Sequence, residues 1–357
     1  MTDAAIDNRI HDAVARGAIV AMSLSGGKDS TAAAFTANAS LDAAGHPRSR
    51  RIAVHADLGS AEWRETPATV EAVAAALGLP LFVVRQTRHG LVGRWHDRFE
   101  RGLARYAALE TLCLIGPWSS AKLRFCTSEA KAAVITRFLK SQFAGQEVIS
   151  VIGIRRAESP ARRLAPVSAD DPRLTCRAGT GGLIWHPLVD WSAADVFALH
   201  EWEQLPLHIA YTRYGSTRLS CAACVLASKR DLEASASCAG NAALFGTLVD
   251  LEARSTFSFQ PGQWLADIAD RVISPAQLSA ISVSKVRAAE RRRLEAALPT
   301  GLSYVKGWPQ RMPTAVEAEN IARVRDIIAD HHGLSTPYRR GPAVRDRFAE
   351  LIAAKPR

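Results

Sequence analysis

The sequence predicts an α/β protein with a doubly wound, mostly parallel sheet and a helical C-terminal region. Short apolar runs alternate with segments of helical pattern over the first 190 residues, as parallel sheets require. A glycine-rich turn joins the first apolar run to a helix, at the edge where open α/β sheets bind ligands. From residue 231 onwards the patterns are helical and are separated by proline and glycine.

Each element follows from its local pattern. Buried strands are predicted over 18–24, 51–57, 81–84, 147–153 and 182–185, where apolar residues are continuous. Helices are predicted over 4–16, 30–35, 64–78, 91–112 and 127–140, and in the C-terminal region over 240–253, 277–297 and 316–330. Residues 157–181 are rich in Pro, Arg, Gly and Asp and predict a long loop. We therefore divide the chain into an α/β domain, 1–230, and a helical region, 231–357.

Composition narrows the class of protein. The chain has 357 residues, of which 48% are hydrophobic and 22% charged, as in globular proteins. No run approaches the roughly 20 apolar residues of a membrane span, and the N-terminus lacks the pattern of a signal peptide. We therefore expect a cytoplasmic protein with no membrane partner.

The net charge of +10 suggests an anionic partner, and basic clusters at 291–293 and 339–340 make nucleic acid one candidate. The helical pattern around 291–293 also fits a solvated helix face.

The glycine-rich turn has the composition of a phosphate-binding loop. Glycines let the backbone approach an anion closely, and the free N–H groups of the helix start point at it. A lysine adds positive charge, and two serines add hydroxyl donors. The residues expected to bind phosphate here are Ser25, Gly26, Gly27, Lys28, Asp29 and Ser30. The spacing differs from a Walker loop and resembles the PP-loop of the ATP pyrophosphatase and sulfonucleotide-reductase superfamily.

Further segments, in order, resemble the phosphoadenosine phosphosulfate (PAPS) reductase-like family over about 17–230. They are His55-Ala56-Asp57-Leu58-Gly59, Arg124 to Lys131, Gly153 to Arg163, and Trp185 to Val196. The resemblance implies an adenine nucleotide as ligand, either ATP with Mg²⁺ or PAPS. It implies catalytic roles for Lys28, Asp29, Cys126 and Arg155, and nucleotide contacts from the loop with Asp57, Arg155, Arg156, Arg162 and Arg163. Asp29 or Asp57 is the candidate magnesium ligand. Trp185 and Trp191 fit core positions better than base stacking.

The cysteines distinguish branches of this family. Cys221-Ala222-Ala223-Cys224 alone is compatible with zinc, an iron–sulfur cluster or a redox pair. Iron–sulfur reductases of the family carry a Cys-Cys pair where this chain has Phe125-Cys126. The resemblance thus implies Cys126, Cys221 and Cys224 as ligands of a [4Fe–4S] cluster, with Cys238 as a fourth candidate. Zinc, or reduced structural thiols without metal, stays open.

Three functions follow. The first is an AMP-forming, ATP-dependent enzyme that transfers sulfur to DNA, RNA or a small acceptor, with a cysteine desulfurase as sulfur donor. The second is a PAPS reductase with an atypical cysteine, because no cysteine follows Cys238 to match the family's C-terminal nucleophile. The third is a non-catalytic nucleotide-binding accessory protein.

Overall fold

A computed structural model describes residues 3–86, 90–175 and 181–355 and contains a six-stranded sheet flanked by helices. The strands are β1 (Ile19–Ser23), β2 (Arg51–Asp57), β3 (Leu81–Arg85), β4 (Val148–Val151), β5 (Ser168–Asp170) and β6 (Gly182–Trp185). Their order is β3-β2-β1-β4-β6-β5, and all neighbours are parallel except β5 and β6. The predicted α/β class and its five parallel strands are confirmed.

Thirteen α-helical segments are present in the described chain. They are α1 (Asn8–Ala15), α2 (Lys28–Ala43), α3 (Thr66–Ala76), α4 (Gly90–Ala107), α5 (Phe125–Thr127), α6 (Ala133–Gln142), α7 (Ala193–Trp202), α8 (Ile209–Thr212), α9 (Lys229–Ala236), α10 (Ala242–Ser255), α11 (Pro275–Ala296), α12 (Ala315–His331) and α13 (Gly341–Ala353). A π-helical turn, Ser128–Ala132, joins α5 to α6. The predicted long loop contains the short strand β5, whose three residues carry no periodic signal; residues 176–180 of that loop lie outside the described chain.

The centre of the sheet is buried on both faces. Strand β1 lies between β2 and β4, with Val20 beside Arg51 and Ile19 beside Val148. The predicted core positions of Trp185 and Trp191 are confirmed, because both indoles are buried. Their ring N–H groups donate to the carbonyls of Ala5 and Asp3, at 2.7 Å and 3.2 Å. These bonds satisfy the buried indoles, as burial requires.

The chain forms two compact units, and their boundary differs from a single division at residue 230. One unit comprises Met1–Leu91 and Ala121–Asn241, and the other Val92–Ser120 and Ala242–Arg357. In the second unit Leu109 and Leu112 pack in one apolar cluster with Leu302, Ile321 and Phe348. Sequence order hides this contact, because it joins residues about two hundred positions apart. None of the helices in the described ranges combines the length and apolarity that a membrane span needs.

Two charged side chains are buried in the second unit. Arg291, expected on a solvated helix face, is instead buried, pairs with Glu295 at 2.9 Å and stacks on the Phe257 ring at 3.7 Å. Glu252 is fully buried, and its carboxylate accepts hydrogen bonds from three backbone N–H groups at 2.7–3.2 Å. Burial raises the pKa of Glu252 to about 7, against the opposing effect of those donors.

This raised pKa predicts a pH-dependent stability. Folded Glu252 keeps its proton to higher pH than the unfolded residue, whose pKa is 4.5. The folded state therefore binds more protons between these values, and the unfolding free energy falls as pH rises from 4.5 to about 7. We expect Glu252→Gln to flatten this slope, which amounts to on the order of 3 kcal/mol. Urea unfolding across this range measures it. The exposed Glu350→Gln is the control, and an unchanged slope in Glu252→Gln would contradict the assignment.

Candidate functional site

The glycine-rich loop connects β1 to the start of α2, as predicted. Gly26 has a φ of +72°, which a glycine adopts without strain, and Gly27 precedes α2 without any side-chain cap. The first N–H groups of α2 are therefore not capped by a side chain of residue 27. Ser30 Oγ donates to the Gly27 carbonyl at 2.8 Å and accepts from the Ser25 N–H at 3.1 Å. The two serine hydroxyls, predicted as phosphate donors, thus also hold the loop in shape.

The Asp29 carboxylate forms ion pairs with both of the cations that were predicted to be catalytic. Asp29 Oδ2 pairs with Lys28 Nζ at 2.6 Å, and Asp29 Oδ1 pairs with Arg155 Nε at 2.7 Å. Lys28 and Arg155 are 3% and 5% exposed, so neither is a mobile surface charge. Two cations and one anion leave a net charge of +1 beside the N-terminus of α2, and both features attract phosphate. Both Asp29 oxygens are engaged by cations, so this arrangement fits phosphate neutralisation better than a magnesium site.

Aromatic side chains that the sequence did not single out cover Lys28. Its ammonium lies 5.5 Å from the Phe197 ring centroid and 5.8 Å from that of Tyr211. The Tyr211 hydroxyl accepts from the N–H groups of Lys28, at 3.3 Å, and Leu219, at 2.8 Å. His200 Nε2 lies 2.9 Å from the Lys28 carbonyl. These residues are distant from Lys28 in sequence and contact the start of α2. Their place in the site is evident only from the three-dimensional structure.

Gly153 allows β4 to approach the loop. A Cβ at this position would overlap the backbone carbonyl of Asp29. The glycine therefore brings the end of β4, and with it Arg155, against the first turn of α2. This contact explains in physical terms why a glycine two residues before Arg155 belongs to the site.

The other predicted nucleotide ligands have different partners. Asp57 Oδ1 accepts from the Gly59 N–H at 2.6 Å, and its second oxygen pairs with Arg85. Arg156 pairs with Asp190 and Arg162 with Glu158, while Arg163 is exposed. Of the four predicted arginines, Arg155 alone has a recorded ion pair with a loop residue among the described side chains.

A cavity of about 260 Å³ adjoins the loop at the carboxyl ends of the central strands. Its lining includes Ser25, His55, Glu62, Lys131, Arg173 and the strand residues Leu24, Ala56 and Ile152. His55 is buried, with Nδ1 2.9 Å from the Leu24 carbonyl and Nε2 3.2 Å from Glu62. Burial lowers the pKa of His55, but the Glu62 hydrogen bond and charge outweigh it and hold that pKa above 6.5. Both ring nitrogens face acceptors, so a doubly protonated imidazolium satisfies them.

Three of the predicted cysteines lie on segments that adjoin residues lining this cavity, although no cysteine is among its described lining residues. Cys126 precedes Thr127 in α5, and Thr127 and Lys131 both line the cavity. The Ala222 N–H donates to the Ala61 carbonyl at 2.9 Å, which places the Cys-x-x-Cys segment on the loop that carries Glu62. Burial raises the pKa of Cys221 to about 12, Lys131 lowers it, and the nearby Cys224, Glu62 and Cys126 raise it further.

The fourth predicted ligand, Cys238, has a different environment. It is buried, and a hydrogen bond between it and the Tyr214 hydroxyl raises the pKa of Tyr214. The Leu226 N–H donates to Cys224 Sγ at 3.4 Å. Yet within the described ranges no three His, Cys, Asp or Glu side chains are placed to hold a metal ion. The metal site predicted at Cys126, Cys221, Cys224 and Cys238 therefore stays a prediction, and Cys176 lies outside the described residues.

The chain is similar to proteins of one known family. Residues 19–227 match the family described as phosphoadenosine phosphosulfate reductase domain. Among solved structures, the chain is similar to phosphoadenylyl-sulfate (PAPS) reductase from Candida auris in its phosphate complex. That similarity has 14% identity and a TM-score of 0.36, and covers 62% of this chain and 98% of that one. No curated protein matches the chain.

The close approach at Gly153 makes a first prediction for the site. Gly153→Ala forces β4 away from α2, so we expect a loss of about 1–3 kcal/mol in unfolding free energy, as for overpacked cores. We also expect weaker ATP binding, because Arg155 moves with β4. Calorimetry with ATP and chemical unfolding measure the two effects. Gly181→Ala is the matched control, since its added Cβ meets nothing within 4 Å. Equal behaviour of the two variants would contradict the prediction.

The His55–Glu62 pair makes a second prediction. A raised folded pKa means that the pair stabilises the protein fully below pH 6.5, the ordinary value, and loses this effect as pH rises through the folded pKa. We expect Glu62→Gln to remove this dependence above pH 6.5, as measured by urea unfolding over pH 6 to about 9. Glu71→Gln, on an exposed face of α3, should leave it unchanged. If the unfolding free energy of Glu62→Gln depended on pH in the same way as that of the wild type, the pair would be uncharged and the prediction would be wrong.

Proposed function

Because the chain belongs to the phosphoadenosine phosphosulfate reductase domain family, we propose that it is an adenine-nucleotide-dependent enzyme of sulfur chemistry. One observation carries the proposal: the phosphate-binding loop lines the cavity, and three cysteines lie on segments next to residues that line it. Ser25 of the loop lines the cavity. Thr127, Lys131 and Glu62 also line it, and they lie on or beside the segments that carry the cysteines. Nucleotide phosphates and a sulfur nucleophile would therefore meet there, in the reducing cytoplasm that free thiols require.

In the proposed first step, ATP adenylates an oxygen atom of the acceptor. The acceptor oxygen attacks the α-phosphorus, the bond to the β-phosphate bridge breaks, and pyrophosphate leaves. Lys28, Arg155 and the N–H groups at the start of α2 stabilise the negative charge of the phosphates. Such preorganised donors contribute about 2.7–4 kcal/mol each when they act on developing charge. No step is assigned to magnesium, because the predicted carboxylates Asp29 and Asp57 are already paired.

In the second step a cysteine persulfide replaces the adenylate. A cysteine desulfurase would load sulfur on one of Cys126, Cys221 and Cys224, and its terminal sulfur attacks the acceptor atom as AMP leaves. A second thiol of the trio then attacks the sulfur–sulfur bond, which releases the thiolated acceptor and leaves a cysteine disulfide. Two electrons from an external dithiol restore the thiols. The acceptor is a nucleic acid or a small molecule.

A second function, reduction of PAPS, is favoured by the same trio. One thiolate would attack the sulfur of PAPS and expel adenosine 3′,5′-bisphosphate. A second thiol would then release sulfite and close a disulfide. Cys126, Cys221 and Cys224 together provide both the nucleophile and the resolving thiol that this route needs. A non-catalytic nucleotide-binding role is the third possibility, and it requires the loop alone.

Labelled nucleotide tests the proposed function. With α-³²P-ATP and total RNA, DNA or small-molecule extracts as acceptors, we expect AMP to form. Arg155→Ala should slow AMP formation about 100-fold or more, as for loss of a transition-state donor. Arg230→Ala, which removes an exposed arginine on α9, should not. ATP binding without AMP in every mixture would favour the accessory role, and absence of nucleotide binding would refute the proposal.

The cysteines separate the two reactions. If sulfur transfer follows adenylation, Cys126→Ser and Cys224→Ser should keep AMP formation and lose incorporation of ³⁵S into the acceptor. If the enzyme reduces PAPS, the same variants should lose sulfite release from PAPS with a dithiol present. Iron, sulfide and zinc analysis of anaerobically purified protein accompanies the assay. Four iron and four sulfide per chain would show that a cluster is bound, and this would overturn the proposed route through free thiols.

A further inference from the structure

A basic groove lies along the helix that follows Cys126. It has a volume of about 640 Å³ and runs along α5, the π-helical turn and α6. Its basic lining residues are Arg124, Arg137, Lys140 and Arg173, and none of the described residues that line it is acidic. We call it the α6 groove.

Three of its cations have no side-chain partner among the residues that the structure describes. Among the described side chains, Arg124, Arg137 and Lys140 form no hydrogen bond or ion pair, unlike Lys28 and Arg155 in the loop. Arg173 is held by Asp171 through two bonds of 2.8 Å, so its position is fixed. Unpaired positive charge in a concave surface attracts anions and concentrates the local field.

The α6 groove is continuous with the nucleotide cavity. Thr127, Ala132, Thr136 and Arg173 line both. A ligand in the cavity can therefore extend into the groove, and one in the groove can reach the edge where Ser25 lies.

The spacing of the cations favours a chain of phosphates over a single one. Arg137 and Lys140 lie about one turn apart on the same helix face. Arg124 immediately precedes α5 and lies thirteen positions before Arg137, about 20 Å at a rise of 1.5 Å per residue along the helical chain that begins at Phe125. One phosphate cannot contact both ends of this row, whereas successive phosphates of a strand can.

We propose that the α6 groove binds the phosphodiester backbone of a nucleic-acid strand, whose reacting nucleotide enters the cavity. The inference rests on the proposed function and identifies its acceptor class as nucleic acid. The four basic side chains position the strand through its phosphates, and the cavity selects the nucleotide that reacts. The net charge of +10 agrees with a polyanionic partner.

Fluorescence anisotropy with a labelled 20-nucleotide single strand, as RNA and as DNA, tests the proposal. We expect Arg137→Ala/Lys140→Ala to weaken binding at least tenfold. The slope of log K against log salt should fall by about 1.4, because each lost phosphate contact removes about 0.7. Arg292→Ala/Arg293→Ala removes the same charge from an exposed face of α11 and should leave affinity within about twofold. RNA and DNA arms show which strand the groove prefers.

Three results would overturn the proposal. The first is that the wild-type protein binds no strand. The second is that both double variants lose strand affinity equally. The third is that the groove variant keeps its strand affinity and loses only its affinity for adenosine 3′,5′-bisphosphate. Calorimetry with ATP on the same proteins separates this from failure of the proposed function. ATP binding and AMP formation without strand binding refute the groove alone. Strand binding without ATP binding refutes the proposed function instead. Circular dichroism confirms that the groove variants fold.

Discussion

The arrangement of the site depends on one carboxylate between two buried cations. Without Asp29, Lys28 and Arg155 would be two unpaired positive charges in a nearly dry environment, which is strongly unfavourable. The ion pairs join the first turn of α2 to the segment after β4, and Gly153 leaves room for that contact. The same pairing leaves a single net positive charge at a helix N-terminus. Stability and phosphate binding therefore share the same three side chains.

Around this charge centre the chain places two further chemical groups. The His55–Glu62 pair puts an imidazole ring and a carboxylate in the cavity wall, and the cysteines lie on segments next to residues that line it. Burial and neighbouring acidic groups keep Cys221 as a thiol, while Lys131 favours its thiolate. A thiolate is the nucleophilic form of a cysteine, so a bound anion or cation that changed this balance of charge would change the reactivity of Cys221.

Much of the fold and part of the candidate site were predictable from the sequence. The rest depends on contacts between distant segments. Local patterns predicted β2 at 51–57, the glycine-rich loop and the burial of Trp185. Contacts between distant segments were not predictable, because no local pattern encodes them. Tyr211 reaches Lys28 across 183 positions, and Cys238 pairs with Tyr214 instead of joining the cysteine trio. The 92–120 segment likewise joins the C-terminal helices through long-range apolar packing.

The central claim, that a nucleotide binds in the cavity beside the cysteine-bearing segments, is tested most directly by cysteine alkylation. Protein is treated with iodoacetamide with and without ATP or PAPS, and each cysteine is quantified by mass spectrometry. The account predicts that bound nucleotide slows labelling of Cys126 and Cys224 several-fold while Cys113, in the other unit, is unaffected. Equal labelling of Cys126 and Cys224 with and without saturating nucleotide would contradict it.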